Sequence, residues 1–341
     1  MASHNFPALK IVQPSTILPE MVLQQSQRSG WKNLFGGGIQ SRIKEGDKVV
    51  YMRGLTMTNN GVVATQGSTM QLPSVTFTPR LAQTRVLLLQ SGANYDHHDL
   101  AGASNHGFAL PAALDLAHEQ GMAHQKRNMD LFGLRSDEGL LNQVTHISVA
   151  ADQTTGATTW SAYNAGELAV DVLAGTINDL AIATYTLGVP NKAVILAPQR
   201  IISLLMSRKV VQLFSFQMVG GGTATSGEMA QKLCANVNLE VEMYPDETLK
   251  NAGSGGKDVV IVSIPELTPY QQVEPDALDT NSFGELQPNT KSNNLSLVDR
   301  AKPTRIVSPL PRGATDVLYE MGATCGWALR PETTVALEMT F

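Results

Sequence analysis

Residues 107–142 read as one long amphipathic helix running straight into a glycine-punctuated turn, and a rod of that length dictates the layout of whatever packs around it. Pro111 suits the first helical turn, where a missing amide hydrogen costs nothing. Leu114, Ala117, Gly121, Gln125 and Met129 recur at helical spacing and predict the packed stripe. His118, Glu119, Lys126, Arg127 and Asp130 lie elsewhere around the barrel. The helix is expected over 110–131. Phe132-Gly133-Leu134 and Glu138-Gly139-Leu140-Leu141-Asn142 mark its end.

After Trp160 the pattern alternates helix and strand. A helix is expected from about 164 to 187, capped at Asn164 with Glu167 completing a capping box. Leu173, Ile177, Leu180 and Leu187 form its inner stripe, and Gly188 with Pro190 stops it. A short strand at 193–196 precedes Pro198, and a helix with Ile201, Leu204 and Leu205 follows. Residues 237–243 and 259–264 read as strands. Residues 267–303 are rich in Pro, Asn, Ser and Asp without periodicity and read as loops. Strands return at 304–306, 316–321 and 333–341.

Before the long helix, residues 49–90 carry the strongest β signal. Val49-Val50-Tyr51-Met52 and Val62-Val63-Ala64-Thr65 flank Asn59-Asn60-Gly61, and Asn-Gly favours the positive φ of a tight hairpin turn. Residues 74–78 alternate Val75 and Phe77 with hydroxyls, and 86–89 is a buried-type run. The first 45 or so residues, with Pro7, Pro14, Pro19 and Gly36-Gly37-Gly38, read as an extended arm with one short helix near 17–25. Through Lys48 that arm sets Lys10, Arg28, Lys32, Arg42, Lys44 and Lys48 against Glu20, Glu45 and Asp47, a mildly positive balance.

Composition narrows the class. Charged residues make up 16% of the chain, against roughly 25% in ordinary soluble proteins. Low charge at ordinary hydrophobicity fits a surface that meets other subunits, or a neutral Thr- and Asn-rich β surface. A net charge of −5 argues against tight wrapping of nucleic acid. Cys234 and Cys325 are too far apart in sequence to suggest a disulfide framework or a cysteine metal cluster. No signal peptide or membrane span is visible, so the chain is expected to be made and used in a cytoplasm.

Several segments imitate active sites. Residues 222–227 have the glycine spacing of a phosphate loop, but Glu228 and Met229 stand where Lys and Ser or Thr are required, and a carboxylate would repel phosphate. Thr225 and Glu228 are better read as a capping box for a helix through Leu233. Asp96-His97-His98-Asp99, with His106 nearby, is the best metal candidate, yet adjacent ligands on one segment diverge. His118-Glu119 followed by His124 misses the spacing that puts two zinc ligands on one helical face. Ser41-Arg42-Ile43-Lys44 lacks the partner motifs of the acyl-transfer enzymes it imitates. No catalytic, cofactor or metal residue is therefore assigned.

The order of these elements, with Gly326-Trp327-Ala328-Leu329-Arg330-Pro331 ahead of the alternating Val335, Leu337, Met339 and Phe341, resembles the major capsid proteins of tailed bacteriophages with the Hong Kong 97-type coat fold. The resemblance covers about 49–341. It implies an α+β chain in four parts. These are an N-terminal arm (1–47), an extended β-hairpin loop (48–92), a peripheral domain with a long spine helix (93–160 and 300–341), and an α/β axial domain (161–299). It implies a non-enzymatic structural protein of the virion that self-assembles into pentamers and hexamers of an icosahedral shell around phage double-stranded DNA.

On the same resemblance, the hairpin reaches over a neighbouring subunit, the arm lies along the inner shell surface with non-specific contact to packaged DNA, and the 267–303 loop faces a ring axis. Partners would be further copies of the chain, a portal and possible reinforcement by a decoration protein, with no membrane and no cofactor. Assembly would take place in the host bacterial cytoplasm. Some such capsids fuse a heptad-rich scaffold ahead of the coat domain. The stretch before the hairpin has no heptads, so a separate scaffolding protein, or one removed before this sequence begins, is expected. Some weld subunits through a hairpin lysine; here no lysine occurs between Lys48 and Lys126, which implies a non-covalent shell. The alternatives are an α/β enzyme of unrecognised chemistry, with its site near 96–106 or 267–303, and an encapsulin-like nanocompartment subunit.

Overall fold

The computed structural model describes residues 29–35, 43–44, 46–59, 75–105, 107, 109–185, 188–208, 225–235, 238–268, 303–310, 313–328 and 330–341. Within them the chain runs through a 3-10 turn at Trp31–Phe35, strands β1 (Val49–Asn59) and β2 (Val75–Tyr95), helices α1 (His97–Asn105), α2 (Leu110–Phe132) and α3 (Leu140–Gln143), and strand β3 (Thr145–Ser148). Helix α4 (Ala165–Glu167) continues through a π-helical stretch, Leu168–Ala174, into α5 (Gly175–Thr184). Strand β4 (Val189–Ala197), helices α6 (Gln199–Ser207) and α7 (Ser226–Ala235), and strands β5 (Glu240–Pro245), β6 (Asp258–Thr268), β7 (Thr304–Pro309), β8 (Thr315–Thr324) and β9 (Thr334–Met339) follow.

The strands form two sheets, a four-stranded one in the order β1-β2-β8-β7 and a five-stranded one in the order β3-β9-β6-β4-β5. The first is antiparallel throughout. In the second, β3 with β9 and β4 with β5 are parallel pairs, while β6 runs antiparallel to both β4 and β9.

Alternation along the central strands explains the three-layer packing of the five-stranded sheet. Ala193, Ile195 and Ala197 of β4 and Val260, Val262 and Ile264 of β6 meet the helices α4 to α7 in one core, with Leu173, Ile177 and Ile201. Val194 and Leu196, with Val259 and Ile261, face a second core built from Trp31, Leu34, Phe35, Leu131, Leu140 and Leu141. Strands covered on both faces read as near-continuous apolar runs, which is why 193–196 and 259–264 stood out in the sequence. A smaller third core seats α2 on the four-stranded sheet through Met122, Val317, Tyr319, Met321 and Ala323.

Three local expectations need correction. Asn59 pairs with Val75, so the partner of β1 is 75–85 rather than 62–65, and the residues between lie outside those described. Eleven consecutive cross-strand pairs set this register. On the long helix the period was right but the phase was displaced. Ala117, Gly121 and Gln125 are exposed, whereas Met122, Lys126, Arg127, Met129, Asp130 and Leu131 are buried. The inward face carries charge because Lys126 and Asp130 neutralise each other there, as described below.

The third correction concerns the cap of α4. Asn164 does accept the Gly166 amide, at 2.8 Å. Glu167, however, accepts from the Gln153 amide at 3.0 Å and from the Thr154 hydroxyl, and the Asn164 amide goes to Asp152. Burial opposes ionisation of Asp152, but the amides of Thr155, Asn164 and Thr154 overcome it and hold the carboxyl well below its ordinary range. The helix stops at Thr184, short of Leu187, which lies outside the described residues. Most of the amino-terminal arm, the expected helix at 17–25 and residues 269–302 also lie outside them.

Candidate assembly surface

Strand β2 is 21 residues long and changes partner midway. Val75 to Arg85 pair with β1, and Val86 to Tyr95 pair with β8. The first half, with β1, is therefore a two-stranded ribbon that continues for 11 residue pairs past the part of the sheet formed by β2, β8 and β7. At about 3.3 Å per residue that is a reach of roughly 35 Å. Pro79 sits within it opposite Leu55, tolerated because the segment is paired on one side only among the described residues. A two-stranded ribbon is marginal in water, so its long extension points to a surface that something else covers.

The base of the ribbon is fixed rigidly. Arg85, at the change of partner, forms a bidentate bridge to Glu138 in the turn after the long helix, with Nη2 to Oε2 at 2.8 Å. That bond holds the Glu138 carboxyl below its ordinary range. Cys325 donates its thiol to the same carboxylate at 3.4 Å. Burial and Glu138 push that thiol up to about 11, so Cys325 is a neutral donor at physiological pH and no nucleophile. An open cleft of about 230 Å³ lies beside the bridge, lined among others by Val49, Arg135, Gln143 and Trp327.

The turn itself is built by glycine. Gly133 and Gly139 have φ of 69° and 84°, and a Cβ on either would overlap the backbone of the opposite limb. Asn142 spans the loop, donating to the carbonyls of Phe132 at 2.8 Å and Glu138 at 2.7 Å. Gly326, two residues past the end of β8, lies so close that a Cβ would penetrate the Asp130 carbonyl, and its own carbonyl accepts the Gly139 amide at 3.0 Å. Lys126 completes the junction with bonds to Asp130 at 2.6 Å and to the Thr324 carbonyl at 2.9 Å. The G-L and E-G-L-L-N segments and G-W-A at the far end of the chain are thus one structure. Sequence order alone did not bring them together.

A further anchor was missed in the sequence. Trp31, Leu34 and Phe35 are buried against the five-stranded sheet, so this part of the arm is a plug in the second core. Gly30 presses on the Tyr244 ring, and Ser29 donates to buried Asp246, which faces Arg127 of α2 at 3.8 Å. Three large apolar side chains within five residues were the available signal.

The segments that imitated active sites have structural duties. Asp96 and Asp99 bond each other's backbone amides at the start of α1, at 3.1 and 2.9 Å, and the His97 ring lies 3.9 Å from that of His98, tilted by 39°. His118 stacks on Tyr319 and meets Ser91 at 2.7 Å; His124 meets Arg127 at 2.9 Å. Thr225 and Glu228 form the expected capping box of α7, at 3.0 and 3.3 Å. Of 41–44, only Ile43 and Lys44 are described, and His106 is not. Among the described residues no group of three metal-ligating side chains converges. No described helix is long and apolar enough to cross a membrane.

Exposed apolar side chains accompany the ribbon. Tyr51 is 59% exposed at its base, and Leu88 and Ile306 are open on the four-stranded sheet. The Leu89, Tyr319 and Met321 side packs on α2, so Leu88, with the Gln90–Glu320 pair at 2.6 Å, belongs to the opposite, uncovered face.

No protein-family model matches the sequence, and no curated protein matches it. Solved structures do. A chain of the capsid of Myoviridae phage XM1 superposes with a TM-score of 0.60 at 14% identity, over 96% of this chain and 99% of that one. A capsid chain of the native GTA particle gives 0.56 at 11% identity, over 100% and 99%. The capsid of cyanophage P-SCSP1u gives 0.56 at 10% identity, over 95% and 92%. The likeness extends over nearly the whole of each chain. This chain therefore has the fold of these capsid chains, a mixed helix and sheet architecture in line with the resemblance of its sequence.

Proposed function

We propose that the chain is a major capsid protein, a subunit that assembles into pentamers and hexamers of an icosahedral shell around phage double-stranded DNA. The observation that carries this reading is the ribbon: 11 residue pairs beyond the β2-β8-β7 part of the sheet, fixed at the base by Arg85 and Glu138, on a chain with the capsid fold over nearly its full length. Subunits that occupy both five- and six-membered rings need reaching contacts that bend, and a long two-stranded ribbon anchored at its base suits that need. Exposed Tyr51, Leu88 and Ile306 suit burial against further copies.

The division into arm (1–47), hairpin (48–92), peripheral part (93–160 with 300–341) and axial part (161–299) belongs to this reading. So do the inner position of the arm, the axial position of the 267–303 loop, a separate scaffolding protein, a portal, a decoration protein and non-specific contact with packaged DNA. The subunit would be assembled in the bacterial cytoplasm and reside in the virion. Among the described residues the polar clusters at 96–99 and 225–228 serve as helix caps, which supports a structural role over catalysis.

Size-exclusion chromatography with light scattering on the purified full chain tests the reading. Rings, sheets or shells are expected. A monodisperse dimer or tetramer at all concentrations would contradict it. Expressed without a scaffold, the chain is expected to give irregular shells or none, and uniform shells would refute the separate-scaffold requirement.

A further inference from the structure

Strand β3 is the least supported strand of its sheet. It has four residues, all exposed, and among the described residues it pairs on one side only, with β9. His146 sits within it and bonds in two directions. Its Nδ1 lies 2.6 Å from Oε1 of Glu338 on β9, and its Nε2 lies 2.5 Å from the carbonyl oxygen of Leu141 on α3. A carboxylate and a carbonyl only accept, so both ring nitrogens must carry hydrogen, and only the imidazolium does. A neutral ring satisfies one acceptor and abandons the other.

The surroundings make the loss consequential. Glu338 is buried, and its other oxygen accepts the Ser254 hydroxyl at 2.7 Å and the Ser254 amide at 3.3 Å. Lys257, from the same turn as Ser254, donates to Ser148 at the end of β3, at 3.0 Å, leaving His146 as the cation on Oε1. The three elements around the ring are thus β9 with its carboxylate, α3 with its carbonyl, and the 253–257 turn with Ser254 and Lys257. The residues joined are those by which the chain passes from the long helix and its glycine turn into the five-stranded sheet.

We propose that His146 is a proton-operated clip that fastens β3 and the α3 turn to the five-stranded sheet when protonated and loosens them when neutral. Burial pushes the imidazole down, but the Leu141 carbonyl and the Glu338 carboxylate outweigh it and raise it above its ordinary value. With the folded value raised, the clip's stabilisation is fully present below about pH 6.5 and is lost as pH rises through the folded pKa.

The proposal concerns this chain by itself, so its failure would leave the capsid reading standing. The test is hydrogen exchange by mass spectrometry on the full chain at about pH 5.5 and about pH 8.5, corrected for intrinsic exchange, on either side of the ordinary histidine range. Peptides covering 141–148 and 334–339 are expected to open more at the higher pH, while β4 and the centre of β6 stay protected. In parallel, NMR titration, with the His146 signal identified by its loss in His146→Gln, should place its pKa above about 6.5. Each pH unit of excess should correspond to a tenfold larger opening equilibrium at high pH. Glu338→Gln should return the pKa towards its ordinary value. If either variant fails to fold, the wild-type exchange comparison remains decisive. Protection of 141–148 that is the same at both pH values, or a His146 pKa at or below the ordinary value, would overturn the clip.

Discussion

Replacing Lys126 by Met is the most exacting probe of how the long helix is seated. The ammonium is 3% exposed and its partner Asp130 carboxylate fully buried, 2.6 Å away, with the Thr324 carbonyl as second acceptor. Removing one member of such a pair strands the other charge at a cost of about 3–5 kcal/mol. The Thr324 carbonyl loses a charge-assisted bond worth roughly 1.5–3 kcal/mol, part of it included in the first figure. Replacing both members, Lys126→Met with Asp130→Leu, removes the stranded charge and should recover most of the loss. Urea unfolding of the full chain, of Lys126→Met, of Asp130→Leu and of the double variant, followed by fluorescence of Trp31, Trp160 and Trp327, would give the four free energies of the cycle. A single-variant loss below about 1 kcal/mol would refute the reasoning, as would losses that simply add in the double variant.

Gly326→Ala should abolish folding into this structure, because its Cβ would penetrate the Asp130 carbonyl, and soluble expression with circular dichroism would show it. Trp31→Ala should cost about 3–5 kcal/mol in urea unfolding, since Trp31 is a core residue; a loss near zero would mean the plug is dispensable. Boiling assembled particles in detergent should release a single band near 36.6 kDa, because no lysine lies between Lys48 and Lys126; a ladder of covalent pentamers and hexamers would contradict this.

Elements with strong periodicity were readable in the sequence. The long helix, predicted over 110–131, is Leu110–Phe132, and the doubly buried runs at 193–196 and 259–264 lie within β4 and β6. The phase of the helix was not readable, because Lys126 and Asp130 are polar by type and inward-facing only as a pair. The length of the ribbon was not readable either. Local turn chemistry at Asn59-Asn60-Gly61 says nothing of the register that a 21-residue strand imposes. The plug at Trp31–Phe35, the Arg85–Glu138 bridge and the His146–Glu338 pair all join residues distant in sequence, where periodicity carries no information. What order and motif did convey was the architecture, since Gly133, Gly139 and Gly326 mark the places where only glycine fits.

Electron microscopy of the purified protein, produced with and without candidate scaffolding proteins from the same source, tests the central claim most directly. The account predicts rings of five and six, curved sheets or closed shells, with the β1–β2 ribbon of each subunit lying across a neighbour. Discrete small particles of one to four chains under all conditions, with the ribbon folded back on its own subunit, would contradict it.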